Sequence, residues 1–186
     1  MDNNAVPTKG NLIRAKNSLK LAKQGYELMD KKRNILIREL MGLVDQAKDI
    51  QAEIRTTFTT AYAALQRADM ELGINAVADV ARNVPIEDTV EVKTRSIMGT
   101  EIPLVRYDAA TRTPAYAFYS TRESLDIARV SFEKVKDLTI KLSAVENSAY
   151  QLAANIKKAQ KRANALKNIT IPRYEALTKD ISNALE

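Results

Sequence analysis

Two cation clusters stand out among the side chains able to do chemistry: Lys31-Lys32-Arg33 early in the chain, and Lys157, Lys158, Lys161 and Arg162 late in it. Such clusters attract anions, and charge alone does not choose among nucleic acid, anionic lipid and an acidic protein surface. Nothing beside them supplies a reaction. The chain has no Cys, His or Trp, which removes disulfides, thiolate and imidazole metal sites, and Cys or His nucleophiles. It carries no G-x-x-x-x-G-K-[ST], no G-x-G-x-x-G and no metal-ligand spacing, and Glu87-Asp88 reads as loop charge. The basic and aromatic interleaving of single-strand binders is missing, so nucleic-acid binding is unsupported. A non-catalytic protein without cofactor or metal is the expectation.

Positioning the cations falls to two long helices. From Leu12, alternating steps of three and four meet Ala15, Leu19, Ala22, Tyr26, Met29, Leu36, Leu40 and Leu43 and continue to Ala68, with only Arg33 and Thr57 breaking the apolar seam. A period of three and a half residues held so long, with no proline after Pro7, predicts a helix supercoiled against a partner helix. At about 1.5 Å per residue, Asn11 to Leu72 would span roughly 90 Å. Thr8 and Asn11 are both available as N-caps behind Pro7. A second seam runs through Leu125, Ala128, Phe132, Val135, Leu142, Leu152, Ile156, Ala159, Ala163 and Leu166. Beyond Leu166 its register slips, and Pro172 should kink this arm without ending it.

The fold class that follows is mainly α: a long antiparallel two-helix coiled coil with a small insert, a short helix plus a β-hairpin, at one end. The first arm covers residues 1–72, the insert 73–120 and the second arm 121–186. Antiparallel arms meeting at 72 and 121 make facing residue numbers sum to about 193. Arg33 then faces Gln160, and the seven cations form one belt. Like charges this close need screening by water and counterions, or an acidic partner around them; both readings stand. Gly42, on the outer face of the first arm, is either a tolerated glycine or a point where the backbone of another protein comes close.

Within the insert, Gly73 should end the first arm in a left-handed conformation, followed by a short helix from Ile74 to about Asn83 and a stop at Val84-Pro85. Thr89 to Ile97 alternates with period two, and Ile102, Leu104 and Val105 follow, so a hairpin turning at Gly99 is predicted. Pro103 fits only an edge position, and so small a sheet should lean on the short helix or on a partner. Ser120-Thr121 followed by Glu123 reads as the cap of the second arm. The cationic excess belongs to the arms: 12 Lys or Arg against 9 acids over 1–72 and 12 against 8 over 121–186, compared with 5 against 6 between them. No apolar run approaches the roughly 20 residues of a spanning helix and the N-terminus is polar, so a cytoplasmic protein is expected.

Three blocks resemble one family. The opening Pro7-Thr8, Leu12, Leu19, Ala22, Gly25, Lys31-Lys32-Arg33 and Leu36, the hairpin Ile97-Met98-Gly99 with Ile102-Pro103, and Lys161-Arg162-Ala163-Asn164-Ala165-Leu166 leading to Ile169-Thr170-Ile171-Pro172 are similar to the D subunits of the V-type and A-type rotary ATPases. Lys167, where that family usually has an acid, and a diluted arginine run depart from the pattern. The resemblance implies a central rotor shaft seated in a hexamer of catalytic A and non-catalytic B subunits, clasped by a small F subunit. Its insert end would face a socket protein on the membrane rotor ring, leaving the shaft peripheral to the membrane and touching it only through the complex. Partner contacts are expected at the belt, at Gly42, and at Met98 and Gly99 in the hairpin turn. The hairpin would modulate turnover or docking rather than hold the shaft together. A C-terminal tail beyond Glu186 is expected. The competing reading is a basic coiled-coil scaffold for anionic membrane or nucleic acid.

Overall fold

The long periodic stretch forms one helix, α1 (Lys9–Leu72), because no residue within it forbids the backbone and an apolar stripe rewards it. The structure, a computed structural model, describes residues 6–86, 89–107, 114 and 116–185. The remaining elements are α2 (Ile74–Arg82), β1 (Glu91–Ile97), β2 (Thr100–Arg106), a 3-10 turn Phe118–Ser120, α3 (Glu123–Ala165), a π-turn Leu166–Thr170 and α4 (Ile171–Leu185). Readings placed on Glu87-Asp88, on 108–113 in the connector and on Glu186 lie outside the described residues. The chain divides into two units, Met1–Leu40 with Gln151–Glu186, and Met41–Tyr150.

In the first unit Thr8 is the cap: its hydroxyl accepts the Asn11 amide at 3.2 Å, while the Asn11 side chain turns back to donate to the Val6 carbonyl at 2.9 Å. Ala15, Ala22 and Leu36 are buried on α1, Leu152, Ala159 and Ala163 on α3, and Ile181 on α4. The antiparallel register is direct, since Arg33 donates to Gln160 at 2.7 Å and Lys23 pairs with Glu175 at 2.7 Å. The predicted register slip takes the form of the π-turn. Pro172 has no N–H for the carbonyl four residues back, and the Ile171 amide reaches five residues back, to Leu166. One residue is thereby absorbed, which is why Leu166 and Tyr174 stand eight apart where two heptad steps would place them seven apart. The arm continues to Leu185. Opposite the slip, a Cβ on Gly25 would stand 3.6 Å from the Cδ1 of Leu166, an ordinary van der Waals contact, so glycine is tolerated there and not required.

In the second unit Gly73 takes φ 87° with ψ 143°, a positive-φ extended conformation and not the left-handed helical one expected, and its amide closes α1 onto Asp69 at 3.0 Å. The chain turns at once into α2, whose Val77 packs with Ala68 and Leu125, beside Leu65, Leu72, Val80 and Tyr116. Cross-helix pairs again run antiparallel: Glu71 with Ser124 at 2.7 Å, Gln51 with Glu146 at 3.3 Å, and Glu53 with Lys134 at 2.8 Å. Thr57, the second seam breaker, is buried with its hydroxyl on the Glu53 carbonyl at 2.8 Å. The start of α3 departs from expectation. Thr121 directs its hydroxyl back to the Ala117 and Phe118 carbonyls, both at 3.5 Å, so it does not cap α3.

The hairpin pairs β1 with β2 antiparallel, with Ile97 opposite Thr100 and Thr94 opposite Pro103. Its two turn residues both have positive φ, 49° at Met98 and 72° at Gly99, as a type I′ turn requires. The hairpin is expected to lean on the short helix or on a partner; among the described residues its contacts run to α3. The Ser148 hydroxyl, whose nearer acceptor is the Ala144 carbonyl of its own helix at 2.7 Å, is shared with the Pro103 carbonyl at 3.2 Å, and Lys136 stands 5.6 Å over the Tyr107 ring. From Pro103 to Tyr107 the strand therefore tracks α3 backwards, which directs the turn away from the region that α2 covers. Ile102 and Thr100 are buried in the process. A two-stranded sheet is marginal by itself, and the long helix offers it more apolar surface than nine residues of α2 can.

Candidate partner-binding surfaces

The belt is built by helix geometry. Lys157, Lys158, Lys161 and Arg162 occupy positions i, i+1, i+4 and i+5 of α3, two neighbouring rows on one side, and the antiparallel register sets Lys31, Lys32 and Arg33 of α1 beside them. All seven fall in one unit. They are not equivalent. Arg33 is half-buried, pairs with Asp30 at 2.7 Å, and donates to Gln160 at 2.7 Å and to Asn34 at 3.1 and 3.3 Å. Gln160 is itself oriented by donating to Asn164 at 2.7 Å, which leaves its carbonyl oxygen for Arg33. Arg33 is therefore an internal strut whose charge Asp30 largely neutralises. Among the described residues, the other six have no carboxylate within ion-pair distance, and all but half-buried Lys32 are exposed. Beside them Ile37, Leu40, Ala153 and Ile156 line an open groove of ≈ 490 Å³, edged by Arg33, Lys157 and Lys161. Cations around an apolar floor suit a folded partner with carboxylates around an apolar ridge better than a bare phosphate chain.

The remaining candidates lie in the other unit. Met98 is 47% exposed at the hairpin turn, next to Gly99. Gly42 is exposed, and a Cβ there would meet nothing within 4 Å among the described residues, whose packing gives no reason for glycine. Its neighbour Leu43 lines a groove with Ile102, Leu104 and Ile140. Sequence reasoning missed the polar pair at Tyr116, whose hydroxyl donates to the Asp126 carboxylate. Burial first, then that carboxylate's hydrogen bond and charge, push the phenol up to about 12. Stability supplied this way is present below the ordinary tyrosine value of 10 and fades as pH rises towards 12.

One unit carries the cationic belt on antiparallel helices, and the other mounts a hairpin on a helix. Comparison with known proteins gives the chain a lineage. A family model for the ATP synthase D subunit matches residues 11–186. The chain belongs to the ATP synthase D-subunit family. It is 40% identical to the V-type ATP synthase D subunit of Thermotoga neapolitana, over 97% of this chain and 89% of that protein. It is 35% identical to the A-type ATP synthase D subunit of Thermococcus kodakarensis, over 98% and 87%. It is also 35% identical to that of Pyrococcus horikoshii, over 97% and 86%. Among the described residues, no helix is long and apolar enough to cross a membrane.

Proposed function

We propose that this chain is the central-stalk rotor component of a V/A-type rotary ATPase, a non-catalytic shaft that couples ATP hydrolysis or synthesis in a hexamer of A and B subunits to ion translocation. The observation that carries the reading is the family match over residues 11–186. On this reading the small F subunit clasps the shaft, a socket protein on the membrane rotor ring receives the end with α2, and the insert spanning 73–120 is a separate functional part. Membrane association is peripheral, through the complex. The belt is a bearing surface against the acidic interior of the hexamer. Because Arg33 is held inside, that role rests on Lys31, Lys32, Lys157, Lys158, Lys161 and Arg162, with Gly42, Met98 and Gly99 as further contacts. Each exposed pair would contribute about 0.2–1 kcal/mol, so the contacts act together and none is essential.

Pull-down of the tagged chain from native membranes should bring the A, B and F subunits with it. Replacing the six free cations by Gln, with Arg33 kept, should leave the shaft folded, weaken its assembly with the hexamer and make that assembly less sensitive to salt. Unchanged assembly and ATP-driven rotation in the sixfold variant would return these residues to a solvated face. Capture of lipid vesicles or DNA in place of the hexamer would favour the scaffold reading.

A further inference from the structure

The hairpin register dictates which backbone groups face outward. Ile97 and Thr100 flank a two-residue turn and so form a hydrogen-bonded pair. Alternation then makes Arg95 with Ile102, Lys93 with Leu104 and Glu91 with Arg106 the other hydrogen-bonded pairs. Pro103, with no N–H to give, falls opposite Thr94 in a non-hydrogen-bonded pair. The amides and carbonyls of Val92, Thr94 and Ser96 therefore point away from β2. The two outer edges differ. On β2 the outward Pro103 carbonyl shares the Ser148 hydroxyl of α3 with the Ala144 carbonyl. On β1, nothing among the described residues pairs with the outward groups of Val92, Thr94 and Ser96, and every residue from Glu91 to Ser96 is exposed. An open edge of this kind is a template for strand addition.

We propose that the outer edge of β1 takes an extended acidic segment of another polypeptide as a third strand. Charge selects this occupant. Lys93 and Arg95 share one face of the strand, and Glu91 stands 3.6 Å from Lys93. A second copy pairing antiparallel about Thr94 would set Lys93 opposite Arg95 twice. Sliding it to the neighbouring registers sets Arg95 opposite Arg95, or sets Lys93 opposite Lys93 with Glu91 opposite Arg95 on either side, so each self-pairing opposes like charges and only the last offsets them with Glu91. A strand with carboxylates at alternate positions meets the same two residues with opposite sign. On its other face it meets Val92, 65% exposed, and Thr94, which favour β-branched neighbours.

The site goes beyond the rotor reading and is tested apart from it, by hydrogen exchange at single-amide resolution on the full chain alone and in the complex purified from membranes. In the complex the amides of Val92, Thr94 and Ser96 should gain roughly tenfold protection or more, while those of Lys93 and Arg95, already bonded to β2, change little. Thr94→Pro removes an outward donor and no ladder bond; it should abolish the gain at Val92 and Ser96. Lys93→Glu with Arg95→Glu should do the same without altering the backbone, and Thr94→Val should leave the gain intact. An eight-residue peptide of alternating Val and Glu should bind the full chain more tightly than one of alternating Val and Lys. Overturning results are alternate amides equally open in a complex that has assembled, a gain that survives the double charge reversal, or concentration-dependent protection in the chain alone, which would mean a second copy.

Discussion

The two units close the same heptad pattern with different material. In Met1–Leu40 with Gln151–Glu186 the fully buried large side chains are Leu36 and Leu152, one from each long helix. In Met41–Tyr150, α1 offers Ala61 and Ala68 at full burial, and Val77 of α2 and Ile102 of β2 are buried as well. One unit is filled by its own helices. The other has small residues at full burial on α1, takes Leu125, Val135 and Leu138 from α3, and adds bulk from outside the seam, as Val77 in the cluster with Ala68 and Leu125 shows. An apolar seam thus specifies that something packs there, and side-chain volume along it decides how much room is left for a third element.

The contrast can be broken most severely at Leu36. Leu36→Ala removes a fully buried side chain that the facing helix cannot replace, and should lower unfolding free energy by about 2–5 kcal/mol in urea titration. If the small-residue unit instead depends on its added elements, its sensitive points lie in the hairpin. Thr100 is 2% exposed, and its hydroxyl has no hydrogen-bond partner among the described residues. Thr100→Val keeps the shape and removes that hydroxyl, and should raise hairpin stability by about 1–2 kcal/mol, read as slower amide exchange over β1 and β2. Ser148→Ala removes the hydroxyl that the Pro103 carbonyl shares with that of Ala144 and should loosen the hairpin by at most about 1 kcal/mol while the helical circular-dichroism signal stays constant. The smallest effects compare two glycines. At Gly25 an added Cβ makes an ordinary contact with Leu166, and at Gly42 it meets nothing. Ala at either should stabilise the isolated chain by up to about 1 kcal/mol through helix propensity. Only at Gly42 should a larger residue, Leu, leave the chain folded yet weaken assembly of the complex; equal assembly would remove Gly42 from the contact surfaces.

Local rules made much of this legible. The seam period predicts both long helices, Gly73 and Gly99 mark a helix end and a turn, and the antiparallel sum places Arg33 beside Gln160. The slip after Leu166 is visible as an eight-residue step. Even the open edge was within reach, because a proline in a two-stranded ladder must face away from its partner strand and so sets the parity of every other amide.

What sequence could not decide were choices among equally allowed partners. Arg33 reads as one cation of seven, and only the folded arrangement of Asp30, Asn34 and Gln160 shows it to be a strut. Thr121 has the right type for a cap, yet the turn before α3 claims its hydroxyl. The hairpin could have rested on α2 or on α3, and Ser148 together with the burial of Ile102 selects α3. The sequence by itself determined the periodicities and the places where the backbone must turn, because those depend on neighbours within a few residues. Only the tertiary structure decided which surfaces meet, because that depends on the volume and hydrogen-bonding groups of residues distant along the chain.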